Sequence, residues 1–136
     1  MTNQAFQPFK MQAHLIGLHV ENFKTTIESI HNKARSQADW IIGLKDFEST
    51  QALHGHYWEK HPKGDETLLL LSGKILLSYC DGQFQNIQSV MLQAGEVIVV
   101  PQNTWHRLEV HEAGQLMFFT PAQGSKIEKV EGEADV

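Results

Sequence analysis

Glu59, His61 and Glu66 set two carboxylates and an imidazole within eight positions of a stretch that otherwise reads as two buried β-strands. Glu59 and His61 are two apart, so on an extended strand both side chains point to the same face. Pro62, Lys63 and Gly64 supply a polar turn that lets the chain reverse, and Glu66 opens the next run. Leu68, Leu69, Leu70 and Leu71 follow, the composition of a strand covered on both faces. Charged groups in such surroundings are costly unless they are paired or ligate a metal. Chemistry is therefore expected here.

A second segment, Gly95 to His106, reads as turn, apolar strand, turn, and then a strand that carries an imidazole. Pro101 closes the apolar run, and Asn103 tolerates positive φ in the turn. His106 opens the next run and shares its face with Leu108 and Val110.

The elements that must position these groups are mostly strands. Ala13 to Val20 and Trp40 to Lys45 are strand candidates. They are followed by Gln51–His61, Glu66–Ser72, Lys74–Cys80, Ile87–Leu92, Glu96–Val100, Trp105–Val110 and Gln115–Thr120. Asp81-Gly82 is the clearest hairpin signal. Asn22 to about Ser36 predicts one amphipathic helix, because Phe23, Ile27, Ile30 and Ala34 fall at helical spacing. From Ala122 onward the chain is small, polar and acidic, and a mobile tail is expected. The expected organisation is a single domain: strands and helix over 1–48, a barrel core over 49–121 and the tail over 122–136.

At 136 residues the chain is one domain with room for a real core. A net charge of −5 without a basic cluster argues against nucleic acid as a partner. No apolar run approaches the ~20 residues of a membrane span, and the first residues lack the character of a signal peptide. Cys80 is the single cysteine, so a reducing cytoplasm is the expected location.

The two segments together resemble the conserved motifs of the cupin superfamily, G-x5-H-x-H-x3,4-E-x6-G and G-x5-P-x-G-x2-H-x3-N. His61, Glu66 and Gly73 match the first at the required gaps, and Gly95, Pro101 and His106 match the second. The chain departs from the pattern where Glu59 replaces the leading histidine, Leu53 the opening glycine, Asn103 a glycine and Val110 the final asparagine. The resemblance covers roughly residues 55 to 120. It implies an all-β double-stranded β-helix, the cupin or jelly-roll barrel, on which the predicted N-terminal amphipathic helix would pack. It also implies a metal set of Glu59, His61, Glu66 and His106. Such a set suits a divalent ion: iron, manganese, zinc or nickel. If Glu59 instead turns away or pairs with a cation, His61, Glu66 and His106 remain as a two-His, one-carboxylate set.

Tyr57 shares the face of Glu59 and His61, so Tyr57 and Glu59 are the candidate proton-transfer groups. The hydroxyl of Tyr57 is equally consistent with a buried aromatic whose polar tip is satisfied. Trp58 and Trp105 have the opposite parity and read as packing or interface residues. His54 and His56 also have the opposite parity and read as outward-facing. Asp65 reads as a turn stabiliser. Leu68, Leu70, Leu108 and Val110 should line an apolar cavity around a small polar centre. Lys60 and Arg107 point away by the same count, which disfavours a sugar phosphate.

The expected function is a small-molecule-binding protein with one divalent metal in its barrel, acting as an enzyme on a small organic substrate by dioxygenation, isomerisation or a similar reaction. The alternative is a ligand-binding or sensory cupin without turnover, with or without metal; the fold alone does not choose. No organic cofactor is expected. A homodimer is expected, with Trp40, Trp58 and apolar N-terminal strands available to cover a sheet face.

Overall fold

The computed structural model describes residues 5–131. It is built from nine strands: β1 (His14–His19), β2 (Lys24–Ser29), β3 (Trp40–Phe47), β4 (Tyr57–Lys60), β5 (Glu66–Cys80), β6 (Gln88–Gln93), β7 (Val97–Val100), β8 (Trp105–Pro121) and β9 (Lys126–Lys129). The expected all-β architecture is what forms. β8 is the spine, pairing antiparallel with β3, β4 and β5. β5 also pairs with β6 and β7, and β1 joins β2 to β3.

Strand alternation decides the inside of the barrel. On β5, Leu68 and Leu70 face inward and are almost fully buried, as are Ile41 on β3 and Leu116 on β8. Full burial of each such side chain is worth about 1.5–3 kcal/mol. The main core joins Phe47, Leu68, Leu70, Ile75, Leu77, Leu92, Val100 and Leu116. A separate small core on the other side of β4 and β8 holds Trp58, Cys80 and Trp105 under Phe84. This is the packing role read for both tryptophans.

β5 and β8 run as long continuous strands where two pairs of shorter ones were expected. Their register shifts between Leu70 and Ile75. Gly73 sits there at φ 89°, and Gly114 lies against the Ser72 carbonyl, too close to admit a Cβ. The chain therefore bends at this point without breaking its ladder.

The amphipathic helix expected over Asn22 to Ser36 does not form. Lys24–Ser29 is strand β2, in register with β1, and Ile30–Arg35 is a short 3-10 helix capped by the Ser29 hydroxyl. Two physical facts explain the difference. Thr25, Thr26 and Ile27 are β-branched and favour a pleated surface. Phe23 adopts φ 58° in the turn before β2 and points to solvent, so it is no part of a helical stripe.

The segment from Ala122 onward, expected to be mobile, contains β9, which pairs with β4 from Tyr57↔Lys129 to Lys60↔Lys126. Residues 132–136 of that segment lie outside the described residues. Among the described residues no helix is long and apolar enough to cross a membrane.

Candidate metal centre

Three strand ends bring the candidate site together. Glu59 lies on β4 opposite His106, the second residue of β8. His61 follows β4, and Glu66 opens β5. The turns of the two motifs are tied to each other. Asn103, at φ 63°, donates its N–H to the His61 carbonyl at 3.2 Å. Gln102 donates its backbone N–H to Asp65 Oδ1 at 2.8 Å and its side-chain amide to the Pro62 carbonyl. Asp65 thus links the two turns.

Ligating atoms of Glu59, His61, Glu66 and His106 all fall within 4.8 Å of one another. His61 Nε2 is 3.2 Å from Glu59 Oε1 and 3.2 Å from Glu66 Oε2. His106 Nε2 is 3.0 Å from Glu66 Oε1 and 3.9 Å from Glu59 Oε1. Two ligands about 2.1 Å from a shared ion stand about 3.0 Å apart at right angles and about 3.4 Å apart at the tetrahedral angle. Three of the four spacings fall in that range, and the 3.9 Å between His106 and Glu59 lies beyond it. Glu59 is turned into the centre, so the reading in which it faces away does not describe this structure.

The surrounding hydrogen bonds orient the same atoms. His106 Nδ1 donates to the Thr104 carbonyl at 3.1 Å, which leaves Nε2 to face the carboxylates. His61 Nδ1 lies 2.9 Å from Ser125 Oγ, just before β9. Thr120 donates its hydroxyl to Glu66 Oε2 at 2.6 Å. His61 Nε2 is buried and aligned for a hydrogen bond with neither neighbouring carboxylate. A buried nitrogen between two acceptor oxygens is what a cation, or a proton, is suited to bridge.

Electrostatics agree with the geometry. Burial by itself would lower the His61 pKa, but the carboxylates of Glu59 and Glu66, each 3.2 Å from Nε2, outweigh it and raise it to about 9. Burial would raise Glu66, yet His106 and His61 hold it well below the ordinary carboxylate range. Glu59 is likewise lowered, burial being outweighed by His61 and His106.

The centre opens on a cavity of about 280 Å³ that reaches Tyr57, Glu59, Glu66 and His106. Its walls include Leu15, Ile30, Leu68, Leu108, Leu116 and Phe118; of the lining expected, Leu68 and Leu108 are there, while Leu70 and Val110 pack in the main core instead. Two readings require correction. His54 lines the cavity, because Thr50–Leu53 is a 3-10 turn, not strand, and His54 ends it at φ 56°. Strand parity does not carry across such a turn. Basic groups also reach the cavity: Lys33, Lys45 and Arg107 line it. Sequence reasoning did not single out Thr104, Thr120 or Ser125. Thr120 was accessible from parity, since it shares the inward face of β8 with Leu116 and Phe118.

A family model described as a Cupin domain matches residues 50–121. No curated protein sequence matches the chain. Among solved structures, oxalate oxidase in complex with the substrate analogue glycolate aligns with a TM-score of 0.52 at 16% identity, over 93% of this chain and 62% of that one. A mutant of oxalate decarboxylase from Bacillus subtilis aligns with a TM-score of 0.50 at 18% identity, over 68% of this chain and 24% of that one. A cupin-2 domain containing protein from Shewanella frigidimarina is 24% identical over 63% of this chain and 74% of that one, with a TM-score of 0.47. The chain thus spans less than two thirds of either oxalate enzyme. The matched residues include Glu59, His61, Glu66 and His106 and run from the turn before β4 to the end of β8. With its two motif turns bonded together and its strands wound about one cavity, the chain belongs to the cupin family.

Proposed function

We propose that this protein holds one divalent metal ion through Glu59, His61, Glu66 and His106 and acts as a metal-dependent enzyme on a small organic molecule. The observation that carries this reading is the convergence of four donor atoms, three of them on buried residues, at one point of an apolar cavity. The cavity lies near the lower end of the ~300–1,000 Å³ range of small-molecule sites. When bound, the ion would supply Lewis acidity or a position for oxygen. The residues of the chain would orient the substrate and move protons. The Glu59 side chain is 38% exposed, against 7% or less for the other three. Its Oε1 is turned to the imidazoles, which leaves Oε2 to exchange a proton with a bound molecule. Tyr57, on the same face, offers a second proton-transfer group at the cavity wall. Metal analysis of protein purified without chelators tests the reading: about one divalent ion per chain, with a melting temperature lowered by a chelator, is the expected result. Metal-free protein whose melting is indifferent to added ions would leave only a ligand-binding barrel.

Acid–base behaviour should follow the centre. Without metal, His61 has a folded pKa of about 9 against 6.5 for the free group. The stability it contributes is complete below pH 6.5 and lost as the pH rises to about 9. Glu66 is depressed from 4.5, so its contribution is present above that value and lost as the pH falls through its lower folded pKa. Chelated protein should therefore melt at its highest temperature between about pH 4.5 and 6.5 and lose stability toward pH 9. Metal must displace the His61 proton, so binding below pH 9 should release protons. Calorimetry in buffers of different ionisation enthalpy measures this release.

The homodimer is proposed on an outer sheet face. Across β7, β5, β8, β3, β1 and β2 the register aligns Val99, Thr67, Phe119, Ile42, Ile16 and Ile27, and a second row aligns Val97, Leu69, Met117 and Leu44. Residues directly opposite share a face, so these mostly apolar rows lie on one side of the sheet, half-buried except on β7. Val97 and Val99 are 59% and 53% exposed. Trp58, expected to join such a contact, is buried within its own chain. In an isologous pair Val99→Lys would set two like charges on one interface. Light scattering should then show the dimer shifted toward monomer with the fold unchanged; an unaltered dimer would move the interface elsewhere. A cytoplasmic location is proposed from the single, buried Cys80.

A further inference from the structure

Lys45 stands on the inward face of β3, the face of Ile41 and Phe47, in register with the buried Leu116. Leu116 is in turn in register with Leu70, four residues along β5 from Glu66, or about 13 Å of strand. Lys33 approaches the same cavity from the 3-10 helix that follows β2. Its Nζ lies 5.2 Å from the centroid of Phe118, a ring given room by Gly43 opposite it. Arg107 at the rim is already engaged, stacking 5.5 Å from Trp58 and donating to the Gly55 carbonyl at 3.4 Å. Among the described residues neither Lys33 nor Lys45 makes an ion pair, and the Asp46 carboxylate beside Lys45 in sequence accepts from Gln115 instead. His54, on the same wall, is held below its ordinary pKa by burial and by the charge of Lys45 and Lys33, as expected if these cations point toward it.

Lys45, half-buried, and Lys33, exposed at the edge, place two positive charges on the wall of an apolar cavity, and such a wall attracts an entering anion. The two negative charges of the centre, Glu59 and Glu66, are occupied by His61 and His106. We propose that the cavity takes a small organic acid, whose anionic group is paired by Lys45 and Lys33 while the rest of the molecule lies toward Glu59 and His106. This assigns a substrate class and rests on the metal reading only for what happens at the other end of the molecule. A carboxylate meets the size of the cavity with the fewest atoms, and lysine, a point charge with three rotatable donors, imposes no bidentate geometry on it.

The test uses succinate and its monoamide, succinamate, titrated calorimetrically into the protein as purified. Removing one charge at constant shape should weaken binding at least ~10-fold, the scale of a lost charge pair. Lys45→Met and Lys33→Met keep an apolar stem and remove the charge; each should cut the preference for succinate to about two-fold or less. Persistence of the full preference in both variants, or its absence from the unaltered protein, overturns the proposal. Metal content measured on the same samples separates the two readings. A preference that survives in protein without metal supports the anion site alone. A lost preference that follows only from lost metal in the variants would assign the lysines to balancing the centre and overturn the proposal.

Discussion

Glu66→Ala should produce the largest loss of any single substitution in this protein. The Glu66 carboxylate joins three groups at once: His106 at 3.0 Å, His61 at 3.2 Å and the Thr120 hydroxyl at 2.6 Å. Alanine removes that partner from all three, leaving His61 to Glu59 and His106 to the Thr104 carbonyl. Breaking a buried charge pair from one side costs about 3–5 kcal/mol. At roughly 4 °C per kcal/mol for a chain of this size, the melting temperature of chelated protein should fall by about 12–20 °C. Metal affinity should fall by at least ~100-fold, since even indirect partners of a ligand account for 10–100-fold. Asp65→Ala is the contrast. It removes one hydrogen bond from an exposed turn and should cost only about 1 kcal/mol. Equal melting of the two variants would show that the Glu66 network contributes nothing special.

Glu59 should decide which ion is preferred. Its carboxylate replaces a neutral imidazole of the family pattern, so the centre carries one more negative charge and favours harder ions. Glu59→His should keep metal and move selectivity from manganese toward zinc and copper. Glu59→Ala should weaken every ion, by about 10-fold or more, while leaving the fold intact, because the side chain is open to the cavity. Competitive binding of manganese and zinc to the three proteins reads both effects. Equal occupancy and equal preference in all three would remove Glu59 from the ligand set.

Most of the centre was legible in the chain because strand geometry has a short, rigid period. Two residues separate Glu59 from His61, a turn of fixed length leads to Glu66, and His106 follows a second turn marked by Pro101 and Asn103. These local spacings survive into three dimensions. What misled was pattern without context. Phe23, Ile27, Ile30 and Ala34 carry a helical period, but pairing with β1 claims the backbone of Lys24–Ser29 and a left-handed turn removes Phe23. Parity counted back from Glu59 places His54 outside, but the strand ends at Tyr57 and His54 is the left-handed cap of the Thr50–Leu53 3-10 turn. Ser125 and β9 depend on a long-range pairing with β4 that the polar composition of the last residues does not announce. Lys45 needed the facing of β3, which follows from its register with Leu116 and not from its neighbours in sequence.

The most direct test of the central claim is anomalous diffraction from crystals of the protein grown without chelator and exposed to manganese or zinc. A single strong peak is expected, about 2.0–2.3 Å from His61 Nε2, His106 Nε2 and carboxylate oxygens of Glu59 and Glu66. A peak elsewhere with this cluster empty, or no peak while Lys or solvent bridges the carboxylates, would contradict the metal centre.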